Sequence, residues 1–192
     1  GRIVMALEVI GIVGLHGSGK TEVAKTLAKF DVPSVRMGDV VWEEVKRRGQ
    51  QINESTVAAV AEELRKREGL GAIAKRCVPM IESRGKGKRA VVVDGIRGIA
   101  EVDEFRRSFG DSFHLLAIWA NEHIRYSRVA PRRRADDVIS LESFREKDRR
   151  ELGWGLGGAL ALADFVIVNE GTLKELHKRA IELFEKVVGG KA

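Results

Sequence analysis

Residues 9–21 read VIGIVGLHGSGKT, from Val9 to Thr21. Gly14, Gly19, Lys20 and Thr21 complete the pattern G-x-x-x-x-G-K-[ST] directly after an apolar, β-branched run. The residues that follow, Glu22 to Phe30, place Val23, Leu27 and Phe30 at helical spacing. Strand, glycine loop and helix in that order distinguish the stretch from a glycine-rich turn that merely fits the pattern. Glycines let consecutive backbone N–H groups turn inward into an anion nest, and the helix N-terminus adds partial positive charge. The stretch therefore predicts nucleotide phosphate binding by Gly14, Leu15, His16, Gly17, Ser18, Gly19, Lys20, Thr21 and Glu22, with His16 contributing backbone. Lys20 reaches β- and γ-phosphates in such a loop, and the Thr21 hydroxyl holds Mg²⁺.

Composition sets the frame. A chain of 192 residues with 44% hydrophobic and 32% charged residues suits one globular domain with helical insertions. No apolar run approaches the roughly 20 residues of a membrane span, and no signal-peptide pattern opens the chain; a cytoplasmic protein is expected. The single cysteine, Cys77, excludes an intrachain disulfide and any cysteine-rich zinc site, and reads as a small buried hydrophobe. Much of the net charge of +6 comes from one cluster, Arg125 to Arg134. That arrangement suits the phosphates of a small substrate as well as a polymer.

Outward from the loop, strands are expected over residues 3–13, 34–37, 90–93, 113–119 and 164–169. Helices are expected over 22–30, 40–48, 53–67, 101–109, 122–129, 141–151 and 172–188, with a further one over 70–83 that restarts or kinks at Pro79. Asn53 or Ser55 caps the 53–67 helix. Residues 84–88 read as a loop, Gly153 to Gly158 as a flexible patch, and Leu173 to Val187 as a sheet-facing helix face. The alternation of strands and helices means a doubly wound α/β sheet, in which ligands sit beyond the carboxyl ends of strands. Asp39, Asp94, Arg97, Asn121 and Asn169 all stand at such ends and should converge on one crevice.

Asp94 ends a hydrophobic strand, so it can hold Mg²⁺ directly or through water, or cap the next helix. Asp39 has three open roles: helix cap, magnesium partner behind a water, or general base for a hydroxyl acceptor. Arg128, Arg132, Arg134 and Arg145 bracket Asp136 and Asp137. Guanidinium groups on a closing loop would carry transition-state charge and exclude water; a solvated face paired with local acids is the plainer alternative. Trp119 is expected in the core, whereas Trp42 and Trp154 are left open between packing and stacking.

These residues together look familiar. Arg36-Met-Gly38-Asp39 before a helix resembles the S-T-G-D element of adenylate kinase-type enzymes, and Asp94-Gly95-Ile96-Arg97 resembles their D-G-F-P-R element. Arg128-x-x-x-Arg132, Arg134-Ala-Asp136-Asp137 and Arg145 resemble their lid, in the short form of the UMP/CMP kinases. The resemblance implies that Arg97 grips the acceptor's phosphate. It also implies that Arg128, Arg132, Arg134 and Arg145 contact donor and acceptor phosphates, braced by Asp136 and Asp137. Asp164-Phe-Val-Ile-Val-Asn169-Glu-Gly171 is similar to the A-D-x-V-I-x-N-x-G element of dephospho-CoA kinase, in which family Asp39 would match the proposed base. Nearly the whole chain resembles the archaeal adenylate kinase-related, dephospho-CoA kinase-like proteins. It departs from adenylate kinases in Met37 and in Trp42, which stands where they carry an acceptor-binding arginine; residues 42–86 match neither family.

The expectation is an α/β P-loop NTPase fold in three layers with a parallel five-stranded sheet. Residues 1–41, 87–129 and 155–192 form the nucleotide-binding core, with Asn169 among its nucleotide-binding residues. Residues 42–86 form a helical acceptor-binding insertion, and 130–154 a lid. The expected activity is transfer of the γ-phosphoryl group of ATP, with Mg²⁺, to a small nucleotide-like acceptor. A nucleoside monophosphate leads. Dephospho-CoA-type hydroxyl phosphorylation, or an ATPase switch acting on protein or RNA, are the alternatives.

Overall fold

Val9, Ile10, Ile12 and Val13 are each at most 1% exposed, so both faces of the first strand are covered, as the unbroken apolar run requires. The computed structural model describes residues 6–130 and 139–189. Arg132, Arg134, Asp136 and Asp137 therefore lie outside the described residues. Five strands, β1 (Glu8–Val13), β2 (Ser34–Arg36), β3 (Ala90–Asp94), β4 (Phe113–Trp119) and β5 (Phe165–Val168), form one sheet in the order β2-β3-β1-β4-β5. Every pairing is parallel. The flanking helices are α1 (Lys20–Ala28), α2 (Gly38–Arg47), α3 (Glu54–Glu68), α4 (Ala72–Gly85), α5 (Ile99–Phe109), α6 (Glu122–Val129), α7 (Leu141–Gly153), α8 (Leu156–Ala161) and α9 (Leu173–Gly189).

The period-2 alternation of the strands sorts the core into two layers. Val9, Val13, Val91, Val93, Leu115 and Ala117 face α4, α5 and α8. Ile10, Ile12, Val92, Leu116 and Ile118 face α1 and α9, meeting Val23, Leu27, Leu176, Ala180 and Phe184. Because β1 lies between β3 and β4, the crevice at its carboxyl end opens at the glycine loop. Among the described residues no helix is long and apolar enough to cross a membrane.

Several local expectations are corrected. The helix over 70–83 does not restart at Pro79: α4 runs unbroken from Ala72 through Gly85 and takes in Arg84. Proline denies the Lys75 carbonyl its helical donor, but Ile73, Ala74, Cys77 and Ile81 bury the helix on both sides of that defect. The glycine patch contains a helix, α8, started by Gly155 at φ 105 and held by buried Leu156 and Ala159. Trp119 is 45% exposed rather than in the core, because it ends β4 on the sheet face that leaves Val166 and Val168 of β5 uncovered. Leu173 is likewise exposed, one turn ahead of the sheet-facing residues of α9. Asn53, not Ser55, caps α3, its side chain accepting from the Thr56 N–H at 2.9 Å.

Residues 42–86 fold into the end of α2 with α3 and α4, joined by ion pairs such as Arg48–Glu63 and Arg76–Glu68. Beneath them Glu101, in the first turn of α5, is buried. Burial pushes its carboxyl up to about 7, against the opposing pull of Arg65 and Arg97. The folded chain thus keeps a proton that the unfolded chain releases near 4.5, so stability falls as pH rises between those values. Glu101→Gln is expected to stabilise the protein at pH 8 by on the order of 3 kcal/mol, and by much less at pH 5. Denaturant unfolding at both pH values checks this; an equal effect at the two would refute it.

Candidate functional site: a phosphate cradle and an adjoining cleft

The loop between β1 and α1 is shaped by what holds its carbonyls from outside. Arg125 on α6 donates to the His16 carbonyl at 3.2 Å. Arg128, one turn on, donates to Gly17 at 3.4 Å and to the Asn169 carbonyl at 2.5 Å. The Asn169 amide donates to the Ser18 carbonyl at 2.8 Å. In a planar trans peptide the N–H points opposite to the carbonyl. Holding the His16 and Ser18 carbonyls outward therefore turns the Gly17 and Gly19 N–H groups inward. The first N–H groups of α1 add to them, since they have no intrahelical partners. Gly19 sits at φ 114, and a Cβ there would fall 2.4 Å from Asn169 Nδ2. A Cβ on Gly14 would fall 2.4 Å from Ser18 Oγ, a buried hydroxyl with no hydrogen-bond partner among the described residues. A cradle lined by N–H groups, with no room for a side chain at Gly14 or Gly19, fits a polyphosphate.

Lys20 opens α1, and its Nζ donates to the Gly14 carbonyl at 2.5 Å, across the mouth of the loop. Burial pulls the ammonium below the ordinary lysine range, while Glu151 and Asp94 hold it up. Asp94 pairs in register with Ile12, which places its carboxylate beside the start of the loop. Thr21 is exposed. Among the described residues no three carboxylate, histidine or cysteine side chains cluster as a metal cage. One hydroxyl and one carboxylate are nonetheless a fitting donor set for Mg²⁺, which keeps waters and takes phosphate oxygens.

Asp94, Lys20 and Arg97 line one cleft of about 140 Å³ together with Ile96, Glu151 and Trp154. The Arg97 guanidinium lies 4.6 Å from the centre of the Trp154 ring, so Trp154 stacks on a cation. A second cavity of about 220 Å³, bounded by Asn169, Gly171, Thr172 and Arg179, adjoins the loop through Asn169.

Other residues singled out from the sequence stand elsewhere. Asp39 lies in the first turn of α2, partly exposed, with its carboxylate 3.9 Å from Arg84, and it does not line the cleft. Glu22 lies 3.8 Å from Lys25 of α1 and 3.9 Å from His177 of α9. Arg145 is paired with Glu122 at 2.7 Å on the exposed side of α7. Trp42 is 54% exposed. Cys77 is buried, and burial pushes its thiol up to about 12, which leaves it protonated and unreactive.

Two contributors were missed. Arg125 is 4% exposed and forms an ion pair of 2.8 Å with buried Asp148 of α7 while its Nε donates to the Ala120 carbonyl. Phe144, one turn before Asp148, packs on His16 with ring centres 5.9 Å apart. Burial, with the nearby Lys147 and Lys20, keeps that imidazole below its ordinary pKa. Glu151 was the other, and only the 144, 148, 151 spacing along one face of α7 hinted at it.

The chain matches the family model described as AAA domain over residues 13–145. It is 44% identical to the UPF0200/UPF0201 protein of Archaeoglobus fulgidus over 96% of its own length, spanning 57% of that longer relative. It is also 44% identical to a UPF0200 protein of Methanosarcina barkeri, covering 92% of this chain and 94% of the relative. The chain belongs to the UPF0200 family. Among solved structures, this UPF0200 chain is similar to dephospho-CoA kinase from Campylobacter jejuni (TM-score 0.64, 10% identity, 97% of this chain and 100% of that one). Shikimate kinase from Bacteroides thetaiotaomicron gives 0.55 at 15% identity, covering 93% and 98%. A gluconokinase from Sinorhizobium meliloti gives 0.56 at 13%, covering 96% and 98%. The fold is that of the P-loop kinases. At such identities the likeness carries the architecture and no more.

Proposed function

We propose that this UPF0200 protein is an ATP- and Mg²⁺-dependent phosphotransferase acting on a small anionic acceptor. The observation that carries the reading is the meeting of Lys20, Asp94 and Arg97 in one cleft beside the glycine cradle. The cradle from Gly14 to Thr21 holds the polyphosphate, and the cavity beside Asn169 takes the base. Thr21 and Asp94 would hold Mg²⁺, which when bound would supply positive charge to the phosphates. Lys20 gives up its bond to the Gly14 carbonyl for the phosphoryl group in flight, where a preorganised cation counts most. Arg97, held over the Trp154 ring, orients the acceptor's anionic group. A nucleoside monophosphate is the acceptor the motifs suggest, and a dephospho-CoA-like hydroxyl compound is its rival. Residues 42–86 as acceptor-binding insertion and 130–154 as lid complete the proposal, with Arg132 and Arg134 as phosphate contacts, joined by Arg128 and Arg145 once these leave the Asn169 carbonyl and Glu122.

A screen of AMP, CMP, UMP and dephospho-CoA, followed by ADP release, tests it. At least tenfold stimulation by one of them supports transfer, and stimulation by RNA or protein alone favours an ATPase switch. Arg97→Ala is expected to raise the acceptor KM by about tenfold or more, the order of one lost charge-assisted contact. The Kd of the ATP complex should stay within about threefold; equal losses in both would overturn the assignment.

A further inference from the structure

One face of α7 carries buried Phe144 and Asp148 and partly exposed Glu151, three residues that a helix stacks on one side. Phe144 lies against His16 and Asp148 grips Arg125, so the first two fix the helix to the outside of the loop. The third, one turn further on, reaches the cleft that holds Lys20, Asp94 and Arg97. There Glu151 Oε2 is buried and has no hydrogen-bond partner among the described residues. Lys20 lies in its electrostatic field yet donates to the Gly14 carbonyl instead.

An ionised carboxylate only accepts hydrogen bonds, and a buried acceptor left without a donor is costly. With Lys20 turned to the Gly14 carbonyl, a group that enters the cleft can supply the missing donor. A fully ionised phosphate brings no proton and adds like charge beside Asp94 and Glu151; a hydroxyl brings the one group this oxygen lacks. Asp39, the base candidate from the sequence, lies outside the cleft near Arg84.

We infer that the phosphoryl acceptor is a hydroxyl group and that Glu151 is the catalytic residue that takes its proton. This rests on the phosphotransferase reading. The acceptor oxygen forms a bond to the γ-phosphorus as the bond from that phosphorus to the β,γ-bridging oxygen breaks. The bridging electron pair leaves on ADP, and the hydroxyl proton passes to Glu151 Oε2 and then to solvent. Arg97 and Trp154, on the same wall, point to an acceptor with an anionic group beside a flat or apolar surface.

The test uses the full chain with MgATP, water serving as the hydroxyl acceptor, and compares wild type with E151Q, E151D and E146Q. Glu146 lies on the exposed side of α7 and controls for loss of a charge. E151Q is expected to lower kcat for hydrolysis by about 10²-fold, the lower end for a general base. The Kd for magnesium and AMP-PNP should change less than threefold, E151D should regain part of the rate, and E146Q should match wild type. Unchanged hydrolysis in E151Q overturns the inference. So does tighter nucleotide binding at unaltered kcat, which would make Glu151 a counter-ion to Lys20. Transfer to AMP, CMP or UMP at undiminished rate in E151Q overturns it as well. Absence of any nucleotide binding by the wild type would instead sink the phosphotransferase reading, a separate outcome.

Discussion

Lys20→Ala is expected to reduce turnover of MgATP by about 10²- to 10³-fold or more, the scale on which loss of one preorganised charge-stabilising group is felt. The fold should survive. In the free protein the Lys20 ammonium bonds only the Gly14 carbonyl among the described residues, and it is already disfavoured by burial. Removing it takes away an unfavourably buried charge at the cost of one hydrogen bond, effects of opposite sign and similar size. A thermal midpoint within a few degrees of wild type should therefore accompany the lost turnover. Wild-type rates in this variant would contradict the site, and gross unfolding would contradict the account of why the lysine is there.

Arg125→Ala should damage the folded state severely. It removes one partner of a buried ion pair and leaves Asp148 uncompensated, a loss of about 3–5 kcal/mol. For a chain of this length that lowers the thermal midpoint by roughly 10 °C or more. It also frees the His16 carbonyl, so the inward set of the Gly17 N–H is no longer enforced. Replacing both partners by apolar residues, Arg125→Met with Asp148→Leu, separates the two effects. The double variant should recover most of the stability, because no charge is stranded, yet still bind nucleotide more weakly than wild type. Calorimetric melting and nucleotide titration on the same samples would decide it; full recovery of both would show that Arg125 serves stability alone.

Much of this was legible in the sequence because it is local. The glycine loop, the strand ending in Asp94, the β4 and α6 boundaries and the apolar faces of α5 and α9 follow from spacing within a few residues. What escaped depends on distant partners. Arg125 and Asp148 lie 23 residues apart and meet only because α6 and α7 flank the same loop. Read locally, Arg125 was one more member of a basic cluster. The strand-end position of Asn169 points to the nucleotide, but only the fold brings its amide to the Ser18 carbonyl. Helix α8 was hidden because four glycines argue for a turn, and two buried side chains outweigh them. Trp119 went the other way: its run reads as core, and only the position of β5 at the sheet edge leaves its end uncovered.

The proposal that the loop from Gly14 to Thr21 cradles a polyphosphate is tested most directly by isothermal titration of the full chain with magnesium and AMP-PNP, an ATP analogue that resists turnover. Saturable binding of one nucleotide per chain is expected, weakened by at least tenfold in Gly19→Ala, where a Cβ would collide with the Asn169 amide. A flat titration for the wild type, or equal affinity in the two proteins, would contradict it.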